Sequence, residues 1–258
     1  MDIKGKTIVV TGGGSGIGRA LAGRFMAEGA NYVMAADLNL KGAEATAKEF
    51  GCEAMKVDVS NESDIKTLIE HVEDTAGPIE LFCSNAGIGM GRDLNTPNEE
   101  WQMSWDVNVM AHVYAARHLV PRYVERGGGY FMNTSSAAGL LNQIAGAAYG
   151  VTKHAAVGFG EWLALTYAHK GIKVSMLCPQ AVRTPMTAQG NSSTQAASVD
   201  GMMEPETLAD AVVEGLRNES FLILPHPEVL EYMRRKTTDY DRWIGGMNRL
   251  QNRLLGDD

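Results

Sequence analysis

The sequence predicts an α/β fold: one Rossmann-type domain, a doubly wound parallel sheet of about seven strands flanked by helices. Three observations carry that prediction. Short apolar, β-branched runs alternate with segments of helical periodicity from the first residues onward. Strand–helix–strand repetition calls for right-handed crossovers onto a parallel sheet. The 258-residue chain, 45% hydrophobic, shows neither internal repeat nor linker, so a single domain over 1–258 is expected.

The elements follow in order. Thr7–Thr11 (TIVVT) reads as a strand buried on both faces. From Gly16 to Gly29, Ile17, Ala20, Leu21, Phe25 and Met26 share one helical face. Asn31–Asp37, Glu53–Val59, Ile79–Ser84, Tyr130–Thr134, Val174–Cys178 and Phe221–Leu224 read as the remaining strands. Helices are expected at Lys41–Phe50 and Glu62–Thr75. Thr96-Pro97-Asn98-Glu99 offers an N-cap, a proline at the first helical position and a capping box. The helix it opens carries one formal charge, Asp106, between Trp101 and Ala116. Val151–Tyr167 carries only Lys153 and Glu161. Helices this apolar are buried on most sides, which predicts a homo-oligomer interface; cover by the chain's own C-terminal segment is the alternative.

Residues 186–203 are rich in Ser, Gly, Ala and Gln without periodicity, and are expected to form a mobile substrate loop. Residues 226–258 are expected to add a C-terminal helical extension, with Trp243, Met247, Leu250 and Leu254 at helical spacing.

Composition excludes several functions. A formal net charge of −8 without a basic run argues against nucleic acid. No apolar run reaches the length of a membrane span. Cys52, Cys83 and Cys178 match neither a zinc spacing nor C-x-x-C, so no metal is expected. The N-terminus lacks a signal-peptide pattern, and a soluble cytoplasmic protein is the expectation.

The glycines of TGGGSGIG (residues 11 to 18) stand between a strand and a helix. Gly12, Gly16 and Gly18 give a G-x-x-x-G-x-G spacing, which suits a phosphate cradle. Gly13 and Gly14 have no assignment. The helix N-terminus that follows presents free N–H groups and a positive dipole end. Asp37, at the end of the second strand, is placed to accept hydrogen bonds from ribose hydroxyls, and its charge repels a 2′-phosphate. Leu38 follows it, and the glycine loop carries Ser15 where a basic residue would serve NADP, so NAD is the expected cofactor. Asp58 and Val59 end the third strand beside the adenine, and Asn85-Ala86-Gly87 follow the fourth.

Tyr149 and Lys153 stand four apart at the start of an apolar helix, so both side chains reach one cleft. A free tyrosine titrates near pH ~10, too high for a base at neutral pH. A nearby ammonium and the positive nicotinamide ring favour the phenolate, making Tyr149 a candidate general base. Ser136, at the end of the preceding strand, is placed to hold the substrate oxygen. Asn108 sits mid-helix, where its amide needs partners, and an ordered water leading towards Lys153 is expected to supply one.

In this order, TGGGSGIG, Asp37, Asp58-Val59, SNAG (84–87), Asn108, Ser136 and Tyr149-x-x-x-Lys153 resemble the short-chain dehydrogenase/reductase family over about Lys6 to Met186. The resemblance implies a seven-stranded parallel sheet, a Ser-Tyr-Lys set assisted by Asn, and dimers or tetramers built on the two apolar helices. By it, Tyr149 exchanges the proton and Ser136 orients the substrate oxygen. Lys153 binds the nicotinamide ribose and lowers the Tyr149 pKa, and Asn108 carries a water-mediated relay. Ser15, Ile17, Pro179, Val182 and Thr184 then join the cofactor contacts. Two departures stand out: Ser84 begins the SNAG motif where the family has Asn, and Gln180 follows Pro179 where the family has Gly. Gln180 is therefore expected to line the substrate pocket.

The resulting expectation is an NAD-dependent oxidoreductase interconverting a small-molecule secondary alcohol and its ketone. Met90, Ser136, Leu141, Ile144, Gln180 and Met186 are the expected substrate pocket. Their mainly apolar character favours a lipophilic substrate. The alternatives are an acyl-carrier or other carbonyl reductase using NADPH, and a dinucleotide-binding regulator without turnover.

Overall fold

The computed structural model describes residues 1–188, 190 and 192–256. Seven strands form one sheet: β1 (Thr7–Thr11), β2 (Tyr32–Asp37), β3 (Glu53–Lys56), β4 (Leu81–Ser84), β5 (Gly129–Thr134), β6 (Ile172–Leu177) and β7 (Leu222–Ile223). Their order is β3-β2-β1-β4-β5-β6-β7, and every pairing is parallel. Helices α1 (Gly16–Ala27), α2 (Leu40–Phe50) and α3 (Glu62–Ala76) connect the first strands. Next come α4 (Asn98–Trp105), α5 (Ala111–Glu125), the short α6 (Ala138–Leu141) and α7 (Ala147–Tyr167). The C-terminal part adds α8 (Ser192–Ala197), α9 (Pro205–Arg217), α10 (Glu228–Thr238) and α11 (Tyr240–Leu255).

Alternation along the strands feeds two cores. Ile8 and Val10 of β1 pack with Leu21 and Phe25 of α1 and with Leu208 and Val212 of α9. Val9, between them in sequence, packs on the other face with Leu68 of α3, Leu119 of α5 and Phe131 of β5. Parallel strands covered by helices on both faces are the doubly wound arrangement the sequence predicts.

Several local expectations shift. The third strand stops at Lys56 rather than Val59, because the Asp58 carboxylate accepts from the Ser60 N–H (3.0 Å) and hydroxyl (2.6 Å) and turns the chain. The capping box at Thr96 does not form. The Thr96 N–H donates to the Asp93 carbonyl (3.2 Å) and its hydroxyl accepts from the Asp93 N–H (3.3 Å). Pro97 takes the cap position without a side-chain bond. The helix that follows is broken by a π turn at Asp106–Met110. In the stretch 186–203 the structure places α8, and Met203 bridges Val182; Gln189 and Asn191 of that stretch lie outside the described residues. The C-terminal extension is two helices, not one, divided at Asp239, whose carboxylate accepts from the Arg242 N–H (2.9 Å).

The extension packs on α6 and α8. It leaves the apolar flank of α4 and α7 open: Trp162 is 52% and Leu165 84% exposed in the isolated chain. Among the described residues no helix is long and apolar enough to cross a membrane.

Candidate active site

The sheet order reverses between β1 and β4, and ligands of doubly wound folds bind in the crevice at such a point. A cleft of about 390 Å³ opens there. Every residue expected to hold the cofactor lines it, from Gly12, Ser15, Gly16, Ile17 and Gly18 through Asp37, Leu38, Asp58 and Val59 to Asn85, Ala86 and Gly87. Tyr149, Lys153, Pro179, Val182 and Thr184 line its other end. Val57, Ile88, Val107 and Thr187 also line it without having been singled out in the sequence.

The glycine loop is shaped by contacts. Gly12 and Gly16 adopt φ of +68° and +50°, a region that favours glycine. A Cβ on Gly18 would strike the Gly12 carbonyl. The two glycines without a sequence assignment have one here. A Cβ on Gly13 would lie 2.8 Å from the Ala35 Cα of β2. The Gly14 N–H donates to Asp37 Oδ2 (2.9 Å), and a Cβ on Gly14 would lie 3.0 Å from that carboxylate. Asp37 Oδ1 accepts from the Asn39 N–H (2.8 Å), so the carboxylate is held from both sides.

These residues fit a dinucleotide. The first turn of α1 has neither an acidic residue nor a side-chain cap, so its positive end faces the cleft unclaimed. Asp37 marks one end of the cleft and Lys153 the other. Asn85 braces the middle: its amide donates to the Thr11 carbonyl (3.0 Å) and accepts from the Thr134 hydroxyl (3.0 Å).

At the Lys153 end, β5 delivers Ser136 and α7 delivers Tyr149 and Lys153. The Ser136 hydroxyl accepts from the Ala138 N–H (3.1 Å) and lies 3.4 Å from the Pro179 carbonyl. The Lys153 ammonium donates to the Thr134 carbonyl (3.1 Å) and stands 5.7 Å from the centre of the Tyr149 ring. Burial lowers the Lys153 pKa to about 8. Tyr149 as a residue keeps some surface, but its phenol is enclosed; that enclosure raises its pKa, and the Ser136 hydrogen bond opposes the rise. In the free protein the phenol therefore sits above the ordinary tyrosine range, not below it as the Lys153 neighbour alone suggests.

Asn108 lies in the π turn, fully buried. Its Oδ1 accepts from the Ile88 N–H (2.9 Å), and its Nδ2 donates to the Ile88 carbonyl (3.0 Å) and the Thr152 hydroxyl (3.1 Å). Protein groups thus take both amide hydrogens and one lone pair of the amide oxygen. The amide clamps the segment after β4 to α7. π turns recur at functional sites, and this one seats Asn108 behind the cleft.

A second cavity of about 330 Å³ adjoins the cleft, and Ser136 and Gln180 line both. Leu141 and Ile144 line the second cavity, while Met186 lines the cleft. Met90 lines neither. Ile88, two residues earlier, lines the cleft, its backbone held at both N–H and carbonyl by Asn108. The far wall comes from Val199, Trp243, Met247 and Leu250. The spacing of the last three marks an amphipathic helix, but not what it covers. Gln180 Nε2 donates to Asp200 (3.1 Å), which accepts from the Tyr232 hydroxyl (2.9 Å), so α10 is tied to this wall.

A sequence model described as short chain dehydrogenase matches residues 6–195. The chain belongs to the short-chain dehydrogenase family. It is 32% identical over 252 residues to a 1-deoxy-11-beta-hydroxypentalenate dehydrogenase of Streptomyces exfoliatus, covering 95% of this chain and 91% of the relative. It is 38% identical over 190 residues to a 2,5-dichloro-2,5-cyclohexadiene-1,4-diol dehydrogenase of Sphingobium indicum, covering 72% and 76%. A solved short chain dehydrogenase/reductase from Burkholderia phymatum, in complex with NAD, is 27% identical and superposes with a TM-score of 0.85 over 93% of this chain and 96% of that one. Family membership makes the protein an oxidoreductase, and the short-chain dehydrogenase sheet is the one described above.

Proposed function

We propose that this short-chain dehydrogenase oxidises a secondary alcohol on a largely apolar alicyclic skeleton to the ketone, and reduces the ketone in reverse, with NAD as partner. One observation carries the reading: the apolar cavity and the dinucleotide-shaped cleft meet at Ser136 and Gln180, beside Tyr149. The named relatives support the substrate class, since those proteins act on ring-bearing hydroxy compounds.

Bound NAD supplies the hydride acceptor. The chain's residues handle the oxygen and its proton. Ser136 holds the alcohol oxygen, and Tyr149, as phenolate, takes the hydroxyl proton as the carbon gives up its hydride. Lys153 holds positive charge near the phenol and passes the proton on. The products are ketone, NADH and one proton. Asp37 selects NAD: a carboxylate clamped by Gly14 and Asn39 cannot turn away from a 2′-phosphate. The same clamp argues against the NADPH-using alternatives.

The open apolar flank of α4 and α7 supports a homodimer or homotetramer, checked by light scattering. Residues 1–258 form one domain in this reading, with 186–203 as substrate loop and 226–258 as the extension that walls the pocket. Cys52, Cys83 and Cys178 are all free, which supports a cytoplasmic setting.

The test is a screen for NADH absorbance across secondary alcohols graded in size and polarity. Cyclic apolar alcohols should turn over with NAD and short hydroxy acids should not. Turnover confined to NADP, or to hydroxy acids, overturns the reading.

A further inference from the structure

The arginines of the C-terminal extension differ from the rest. The chain has thirteen arginines at a formal net charge of −8. Eight of them meet a carboxylate in an ion pair. Of the five that have none among the described residues, four stand in the extension: Arg234, Arg242, Arg249 and Arg253.

A groove of about 490 Å³ runs between α10 and α11, and Arg234, Arg235 and Arg242 line it. It adjoins the apolar substrate cavity, since Arg235, Trp243 and Met247 line both. The shared wall is braced: the Trp243 ring packs on Tyr232 with 6.4 Å between centres, and the Arg235 guanidinium lies 5.8 Å from the centre of the Tyr232 ring. Arg235 Nε donates to the Glu231 carboxylate (3.0 Å), and among the described residues its two terminal nitrogens donate to nothing. Glu231 and Asp239 are the carboxylates of the groove. Arg235 engages the first, and the second accepts from the Arg242 backbone N–H (2.9 Å). Gly246, one turn after Arg242 on the same face of α11, puts no side chain into the groove. Arg249 brings Nη2 to 3.9 Å from where a Cβ on Gly246 would stand.

A guanidinium presents a planar fork of N–H donors that matches a carboxylate. Unpaired forks grouped beside an apolar cavity make a place for an anion attached to an apolar body. We propose that this groove is a carboxylate subsite, and that the substrate is an alicyclic alcohol with a carboxylate at the end remote from the carbinol. The carbinol lies at Ser136 and the ring fills the apolar cavity. The carboxylate passes Trp243 to meet Arg235, with Arg234 and Arg242 adding charge. The inference rests on the dehydrogenase reading above and narrows its substrate class. Short hydroxy acids stay excluded, because they place the carboxylate beside Ser136 and not at the arginines.

The test compares (4-hydroxycyclohexyl)alkanoates of graded chain length with their methyl esters, reading kcat/KM with NAD by NADH absorbance. At low salt the acid of best-fitting length should exceed its ester about tenfold, the size of one charge-assisted hydrogen bond. Arg235→Gln should remove most of that preference by raising KM for the acid, and leave the ester within about twofold. Arg235→Lys, which keeps the charge but not the fork, should keep part of it. Arg253→Gln, on α11 but lining neither cavity, should keep all of it. Salt at about 1 M should shrink the wild-type preference, because exposed charges are screened. Acid and ester within about twofold of each other in the wild type, at every length, overturn the proposal. So does an acid preference that survives the combined Arg234→Gln, Arg235→Gln and Arg242→Gln variant. If the arginine variants fail to fold, a wild-type acid preference indifferent to salt overturns it. A wild type that forms no NADH with any alcohol, acid or ester rejects the dehydrogenase reading and the subsite with it. One that oxidises only esters and neutral alcohols rejects the subsite and leaves the dehydrogenase reading standing.

Discussion

The NAD-shaped cleft and the apolar cavity beside it are built in different ways. The cleft is made largely by backbone: glycines at positive φ, an open helix end, a carboxylate held by two backbone N–H groups, and an amide held by the Thr11 carbonyl and the Thr134 hydroxyl. Its parts lie at strand ends that the sheet itself aligns. The cavity is made by side chains from segments far apart in the chain, Leu141 and Ile144 on one wall and Trp243 to Leu250 on the other. Its polar members are held by side-chain bonds across the chain, such as Gln180 to Asp200 and Gln143 to Ser193. A surface of backbone tolerates little change and serves one ligand; a surface of side chains can be re-cut for many. One protein can thus hold its cofactor by rule and choose its substrate by detail.

The largest test of that contrast is at the junction. Tyr149→Phe keeps the ring and removes only the proton carrier, so turnover should fall by about 10²–10⁴ while NAD affinity, read by fluorescence titration, stays within about twofold. If turnover survives, the junction is not where the chemistry occurs. On the cleft side, Asp37→Ala removes a fixed charged acceptor and should weaken NAD by about 10–100-fold while narrowing its advantage over NADP. The ratio of kcat/KM for the two cofactors reports this. On the cavity side, Trp243→Ala strips one wall and should raise KM about tenfold for a bulky cyclic alcohol. It should change little for a small open-chain one. An equal effect on NAD affinity would erase the distinction between the two regions. The smallest effect lies behind both. The folded protein keeps His112 neutral down to about pH 3 against an ordinary value of 6.5. Between those values the unfolded chain binds the proton and the folded chain does not, so stability falls as pH drops through the window. Denaturant midpoints of His112→Phe should show a shallower fall there than wild type.

How much of this was legible in the sequence varies with the range of the forces involved. The strands were legible because an apolar run between turn residues has few other uses. The cleft residues were legible because strand ends and an i, i+4 pair place side chains by local geometry. The π turn at Asp106–Met110 was not, since no local pattern specifies it. It accompanies the bonds of Asn108 to Ile88 and Thr152, 20 and 44 residues away. The capping box at Thr96 failed for the complementary reason: a competing turn with Asp93 had already taken its groups. Met90 was misplaced because distance along the chain says little about direction once Asn108 grips the segment.

By itself the sequence determined the parallel sheet, the family, the glycine cradle with Asp37, and the Ser136-Tyr149-Lys153 grouping. Each rests on spacing within one element or at adjoining strand ends. Only the tertiary structure decided that Gly14 holds Asp37, that Asn108 is a clamp, that α11 walls a cavity with Gln180, and that His112 is buried in the core. Those depend on which distant segments meet, and packing of the whole chain, not periodicity along it, sets such meetings.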